Sequence, residues 1–261
     1  MRFSEVLKSV RRDGDEWIAS ISEDWLQGRS AFGGLQAAVA VAAMRELVPG
    51  AVPLRSLQVT FVAPVAAGTV RIAAKILRQG KSVTHVEARL LDGDATACLV
   101  IGVFGAARES ALRVWPAQPA VEAMAAPQVL RYVPGVLPQF TQHFDARWLQ
   151  GGIPFSGSKQ TAQVVEVGLK DEGTADEAQA IAFADFIPPV ALSMLQQPAP
   201  GSSLTWMLEL FADSRGLPLQ AWRIDAQLQV AQDGYTSQQV MLWGPNGEPI
   251  ALSRQSMVVF G

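Results

Sequence analysis

Residues 31 to 47 read Ala-Phe-Gly-Gly-Leu-Gln-Ala-Ala-Val-Ala-Val-Ala-Ala-Met-Arg-Glu-Leu, and this stretch decides the fold. Ala is the strongest helix former, and Val48-Pro49-Gly50 stops the helix. The segment is apolar nearly all round, which marks a helix covered on every side rather than one lying on a surface. Gly33 and Gly34 at its start let another group approach the backbone closely.

A helix of that kind needs a wrapping, and the residues downstream supply one. Arg55 to Val62 is bounded by Pro53 and Pro64. Thr69 to Arg78 alternates, with Val70, Ile72, Ala74 and Ile76 on one face, and Gln79-Gly80-Lys81 turns it into Ser82 to Leu91. Asp92-Gly93-Asp94 then leads to Ala95 to Gly105. Asp-Gly between alternating runs is a strong hairpin signal. The first half therefore reads as one buried helix followed by an antiparallel meander.

Residues 107 to 139 are rich in Ala and Pro, as in a linker or irregular crossover. Beyond them two strands are expected, Phe140 to Trp148 and Lys159 to Leu169, and then the acidic loop Lys170-Asp171-Glu172-Gly173. A second helix begins near Ala175 and is interrupted around Pro188-Pro189, and a second meander spans Ser203 to Phe260. The halves read as copies of one unit. Phe32-Gly33-Gly34-Leu35 aligns with Phe183-Ala184-Asp185-Phe186, Ser56-Leu57 with Ser203-Leu204, Gly80 with Gly234, and Val103-Phe104-Gly105 with Val259-Phe260-Gly261. The expected organisation is an N-terminal unit over 1–108, a crossover over 109–139 and a C-terminal unit over 140–261, in the α+β class.

Composition removes several functions. The 261 residues are 49% apolar and 17% charged, which supplies a core and argues against disorder. A net charge of -3 provides no basic excess for neutralising phosphates, so nucleic acid is not an expected partner. One cysteine, Cys98, excludes a disulfide framework and a multi-thiolate metal site. Two histidines, His85 and His143, nearly exclude His-based catalysis and zinc chemistry; each reads as structural or surface, and no metal site is expected. There is no nucleophile elbow, P-loop or dinucleotide fingerprint. No signal core follows Met1-Arg2-Phe3-Ser4-Glu5, and the apolar run Leu35 to Met44 is far below the roughly 20 residues of a membrane span. A cytoplasmic protein is expected.

Duplication lets each half serve as a reference for the other. Asp185 stands at a helix start where the first copy has Gly34, and Gln255 where it has Leu99. Ala251, Ser253, Gln255, Met257 and Val259 share one strand face, which matches Ala95, Ala97, Leu99, Ile101 and Val103, a face that looks like core. An amide on such a face is costly unless hydrogen-bonded. Plainer readings compete: Asp185 as a helix N-cap, Gln255 on a solvent-facing edge, Ser203 as a turn residue. Together, a carboxylate, a hydroxyl and an amide are the groups that hold and deprotonate one water.

Ser56-Leu57-Gln58-Val59-Thr60-Phe61 with Pro64, Leu77-Arg78-Gln79-Gly80-Lys81-Ser82, Ala184-Asp185-Phe186 and Ala251-Leu252-Ser253-Arg254-Gln255 resemble segments of the acyl-CoA thioesterase II family. The resemblance spans roughly residues 20 to 261 and implies a double hotdog, in which each half wraps a helix in an antiparallel sheet. It also implies that Asp185, Ser203 and Gln255 position an attacking water. The family's Thr-x-Asp-His segment stands here as Ser203-Leu204-Thr205-Trp206, so Thr205 is a second candidate for the hydroxyl. The activity so implied is hydrolysis of an acyl-CoA thioester, in fatty acid metabolism. Asp185 would be the base, and amides around Gly33 and Gly34 would take the oxyanion. CoA enters only as part of the substrate, and no cofactor is expected. Competing readings are a non-hydrolytic acyl-CoA or lipid binding module, a purely structural protein, and a dehydratase, which the missing Asp/His pair disfavours. Trp206, Phe186, Met194, Met207 and Met257 are candidates for an acyl pocket or for plain core. Exposed sheet edges usually need cover, so a homodimer is expected.

Overall fold

In the computed structural model, which describes residues 1–122 and 124–260, a short helix α1 (Phe3–Ser9) and the hairpin β1 (Arg11–Asp13) and β2 (Glu16–Ile21) come first. A two-stranded patch, β3 (Leu26–Gln27) and β4 (Ser30–Ala31), leads into α2 (Gly33–Arg45). From Gly34 to Met44 every residue of α2 except Ala42 is buried, as its apolar circumference requires. The meander follows as β5 (Leu54–Phe61), β6 (Gly68–Gln79), β7 (Val83–Asp92) and β8 (Ala95–Gly105). Gly93 takes φ +57° in the Asp-Gly turn between β7 and β8, a conformation that glycine adopts without penalty.

After the irregular crossover, which contains β9 (Gln128–Val129), come β10 (Phe144–Gln150) and β11 (Ala162–Leu169). The strand expected from Phe140 begins later, because Gln139–His143 forms a 3-10 turn. Helix α3 (Glu177–Asp185) then precedes β12 (Gly201–Leu210), β13 (Trp222–Gln232), β14 (Tyr235–Trp243) and β15 (Pro249–Val259). Asp176 caps α3: its side chain accepts from the Ala178 N–H at 2.7 Å, while Gln179 Oε1 accepts from the Asp176 N–H at 2.9 Å. That reciprocal pair satisfies two donors the helix leaves open.

Among the described residues, thirteen strands form one antiparallel sheet in the order β1-β2-β6-β7-β8-β5-β12-β15-β14-β13-β11-β10-β9. The halves meet where β5 pairs with β12, and Leu57 opposite Leu208 is fully buried at that seam. Helix α2 packs on β6, β7 and β8, α3 packs on β11, β13, β14 and β15, and the helices pack on each other. The sheet ends in β1 and β9, three and two residues long, a form in which exposed edges are short. Among the described residues no helix is long and apolar enough to cross a membrane.

Two alignments between the halves are corrected. The start of α2 is not equivalent to Phe183-Ala184-Asp185-Phe186, which ends α3; the two segments are neighbours instead. A Cβ on Gly34 would stand 3.0 Å from the Ala182 Cα, so the helices run past each other with opposite ends together. On β8 the inward residues are Cys98, Val100, Gly102 and Phe104, and Leu99, Ile101 and Val103 lie on the half-exposed face. A one-residue offset turns every side chain of a strand over, and the alignment on Val-Phe-Gly carries that offset. Its last position, Gly261, lies outside the described residues.

Candidate active site

Asp185 is the last residue of α3, not the first, so its reading as an N-cap falls with that placement. It stands where the C-terminal end of α3, with its partial negative charge, meets the N-terminal end of α2, with its partial positive charge. The backbone N–H of Gly34 acts on the Asp185 carboxyl by holding its pKa down. Gly33 lies directly beneath it: a Cβ there would come within 2.7 Å of Asp185 Oδ2 and 3.0 Å of the Phe61 ring. Glycine at 33 is therefore a packing requirement of the carboxylate.

The adjoining β15 brings the amide. Ala251, Ser253, Gln255, Met257 and Val259 do share the inward face, as their alternation indicates, and Gln255 is 5% exposed. Its Nε2 donates to Asp185 Oδ1 at 2.9 Å and to Ser203 Oγ at 2.8 Å. Both amide hydrogens are thus committed, one to the carboxylate and one to the hydroxyl. Ser203, half-buried on β12, accepts with its oxygen and keeps its own O–H to donate. The structure therefore brings Asp185, Ser203 and Gln255 into one hydrogen-bonded cluster.

Burial pushes the Asp185 carboxyl up to about 7, against the opposing pull of the Gln255 amide and the Gly34 N–H. Desolvation wins because a charged carboxylate loses more by leaving water than two donors return. Cys98, inward on β8, is buried, and burial, with Asp185 adding to it, pushes its thiol up to about 12. It is a neutral thiol at ordinary pH, not a nucleophile.

Other candidates lie elsewhere. Thr205 is exposed on the outer face of β12, opposite Thr60, because a bulge between Ser203 and Thr205 separates their directions. It does not join the cluster. Gly33 and Gly34 stand together at the start of α2 beside Asp185. Trp206, Phe186 and Met257 are buried, whereas Met194 and Met207 are exposed. His143 stacks on Trp25 with centroids 4.1 Å apart and its Nε2 lies 3.1 Å from Asp24, and His85 is on β7; neither belongs to the cluster. The close approach of Gly33 to Asp185 had no signal in the sequence, since it depends on how the two helices pair.

The opposite end of the helix pair is closed. Arg45 of α2 donates to both Glu177 oxygens of α3 at 2.5 Å and lies 4.6 Å from the Phe104 ring centroid. At Gly102, inward on β8, a Cβ would meet Met44 Sδ at 2.7 Å. An ion pair and a methionine fill that end, and the carboxylate, hydroxyl and amide stand at the other.

The family model for the acyl-CoA thioesterase N-terminal domain matches residues 21–105, and that for the C-terminal domain matches residues 116–259. No curated protein sequence matches the chain. Among solved structures, a hotdog-fold protein of unknown function from Alicyclobacillus acidocaldarius superposes with a TM-score of 0.87 at 20% identity, covering 99% of this chain and 98% of that one. An acyl-CoA thioesterase II, TesB2, from Mycobacterium marinum gives 0.76 at 16% identity, covering 99% and 98%. A tesB protein from Mycobacterium avium subs paratuberculosis gives 0.78 at 12% identity, covering all of both chains. These likenesses establish the double hotdog.

Proposed function

The chain belongs to the acyl-CoA thioesterase family and is a thioester hydrolase, and we propose that it cleaves an acyl-CoA with a water held between Asp185 and Ser203. One observation carries this reading: the single amide of Gln255 donates to both groups, 2.9 Å and 2.8 Å away. With its hydrogens spent, Gln255 acts on the water through the carboxylate and the hydroxyl that it orients. Ser203 donates its remaining hydrogen to the water, and Asp185 accepts one of the water's.

The water oxygen bonds to the thioester carbonyl carbon while Asp185 takes its proton. The Gly33 N–H, at the first position of α2 where the helix offers no internal partner, stabilises the negative carbonyl oxygen. The tetrahedral intermediate then collapses, the C–S bond breaks, and the CoA sulfur leaves with the proton from Asp185. Acid and CoA thiol are the products, with no covalent enzyme intermediate and no cofactor. A base with a pKa of about 7 suits this exchange, because it both takes and returns a proton at neutral pH. We further propose a homodimeric, cytoplasmic protein of fatty acid metabolism; sedimentation at twice 28.0 kDa checks the assembly.

The test is a panel of acyl-CoA substrates with a thiol-detecting reagent, on the native chain and on Asp185→Asn. Release of CoA by the native chain and a loss of about 100-fold or more in the variant are expected. Binding of acyl-CoA without CoA release would make the protein a carrier instead.

A further inference from the structure

The sheet face beneath Asp185 holds more polar groups than the hydrolysis uses. Trp206 on β12, Gln255 on β15 and Gln238 on β14 stand directly opposite one another in one row across three neighbouring strands. Trp206 is 2% exposed and Gln238 is fully buried. In the next row Ser203, Met257 and Thr236 stand opposite one another in the same order, and Thr236 is 3% exposed. Of these groups, Trp206 Nε1, Gln238 Nε2 and Thr236 Oγ1 have no hydrogen-bond partner among the described residues.

The orientation of Gln238 is fixed by its other end. Its Oε1 accepts from the Val190 N–H at 2.8 Å, and Val190 opens the 3-10 turn five residues after Asp185. A backbone N–H requires an acceptor, so the amide cannot be reversed. Nε2 is then a preset donor on the strand next to Gln255. A buried donor without an acceptor costs free energy that a partner recovers. Both nitrogens, Trp206 Nε1 and Gln238 Nε2, donate and never accept, so the missing partner carries acceptor oxygens. The thioester carbonyl is the only acceptor an unsubstituted acyl group brings, and the hydrolysis assigns it to Gly33.

On the reading that Asp185 and Ser203 deliver water to an acyl-CoA, we propose that Gln238, with Trp206 on the far side of Gln255, determines acyl specificity. The acyl group it selects carries a further oxygen: a hydroxyacyl or oxoacyl thioester rather than a plain alkyl one. A site built to hydrogen-bond a substrate oxygen discriminates strongly against an analogue lacking it, because its buried donor is left unpaired.

The experiment compares kcat/KM for a hydroxyacyl-CoA, an oxoacyl-CoA and the unsubstituted acyl-CoA of the same chain length, in the native chain, Gln238→Leu and Gln238→Met. The native chain should prefer an oxygenated substrate by about tenfold or more, and both variants should bring that ratio toward one. A merely structural role for Gln238 would lower all three substrates together and leave the ratio where it was, which overturns the proposal. A native preference for the unsubstituted acyl-CoA overturns it without recourse to the variants. Absence of hydrolysis of every substrate by the native chain would count against the hydrolytic reading instead.

Discussion

Asp185 trades stability for function. Its folded pKa of about 7 lies above the ordinary carboxylate value, through burial. Between about pH 4 and 7 the folded chain therefore holds a proton that the unfolded chain releases. The stability this proton brings is complete below pH 4 and is lost as pH rises through 7. Asp185→Asn should match the native chain in acid and exceed its stability at pH 8 by a few kcal/mol, on the order set by the pKa difference. Urea unfolding at the two pH values measures this. Ser203 and Thr205 make a second contrast. Ser203→Ala should slow hydrolysis about tenfold or more through loss of one hydrogen bond, whereas Thr205→Ala, on the outer face, should stay near native turnover in the same assay. Asp185, Ser203 and Gln255 were singled out in the sequence by the resemblance of their segments to those of the thioesterase family, and the structure brings the three side chains together. Which hydroxyl joins them was not legible, since the bulge after Ser203 decides it.

At the scale of elements, the site is the junction of two helix ends. The N-terminal end of α2 accepts a carboxylate from the C-terminal end of α3, and this works because residue 33 has no side chain. Gly33→Ala would drive a Cβ to 2.7 Å from Asp185 Oδ2. Its φ is ordinary for a helix, so the penalty is steric: about 1–3 kcal/mol of stability and about 100-fold in turnover through a displaced carboxylate. Thermal unfolding and CoA release, measured on one preparation, check both parts. Helix α2 itself was legible from its alanines and uniform apolarity, and the hairpin at Asp92-Gly93 from its turn. The relation of α2 to the second helix was not legible. A similarity between Phe32-Gly33-Gly34 and Phe183-Ala184-Asp185 suggested equivalence, but small residues recur there because the two segments touch. The inward face of β8 was misread by one residue, the smallest offset that exchanges core for surface.

For the whole molecule, two helix-and-sheet units share one thirteen-stranded sheet among the described residues, and the two ends of their helix pair differ: Asp185, Ser203 and Gln255 cluster at one, and Arg45 pairs with Glu177 at the other. The copy relation was legible from order and turn spacing. The asymmetry was not legible from the copies, because the alignments that set Asp185 against Gly34 and Gln255 against Leu99 do not hold, and Arg45 and Glu177, 132 residues apart, meet only when the helices pack. The central claim, that a buried carboxylate at this junction is the base, belongs to this scale, because burial between the helices and the sheet is the largest influence on its pKa. The measurement that bears on it most directly is the pH dependence of kcat/KM for acyl-CoA hydrolysis, with CoA release as the readout. The rate should rise with pH through a single ionisation near 7 and then level, and Asp185→Asn should abolish the activity together with that rise. A rate that is flat from pH 5 to 9, or an Asp185→Asn variant that keeps the native rate and profile, would contradict it.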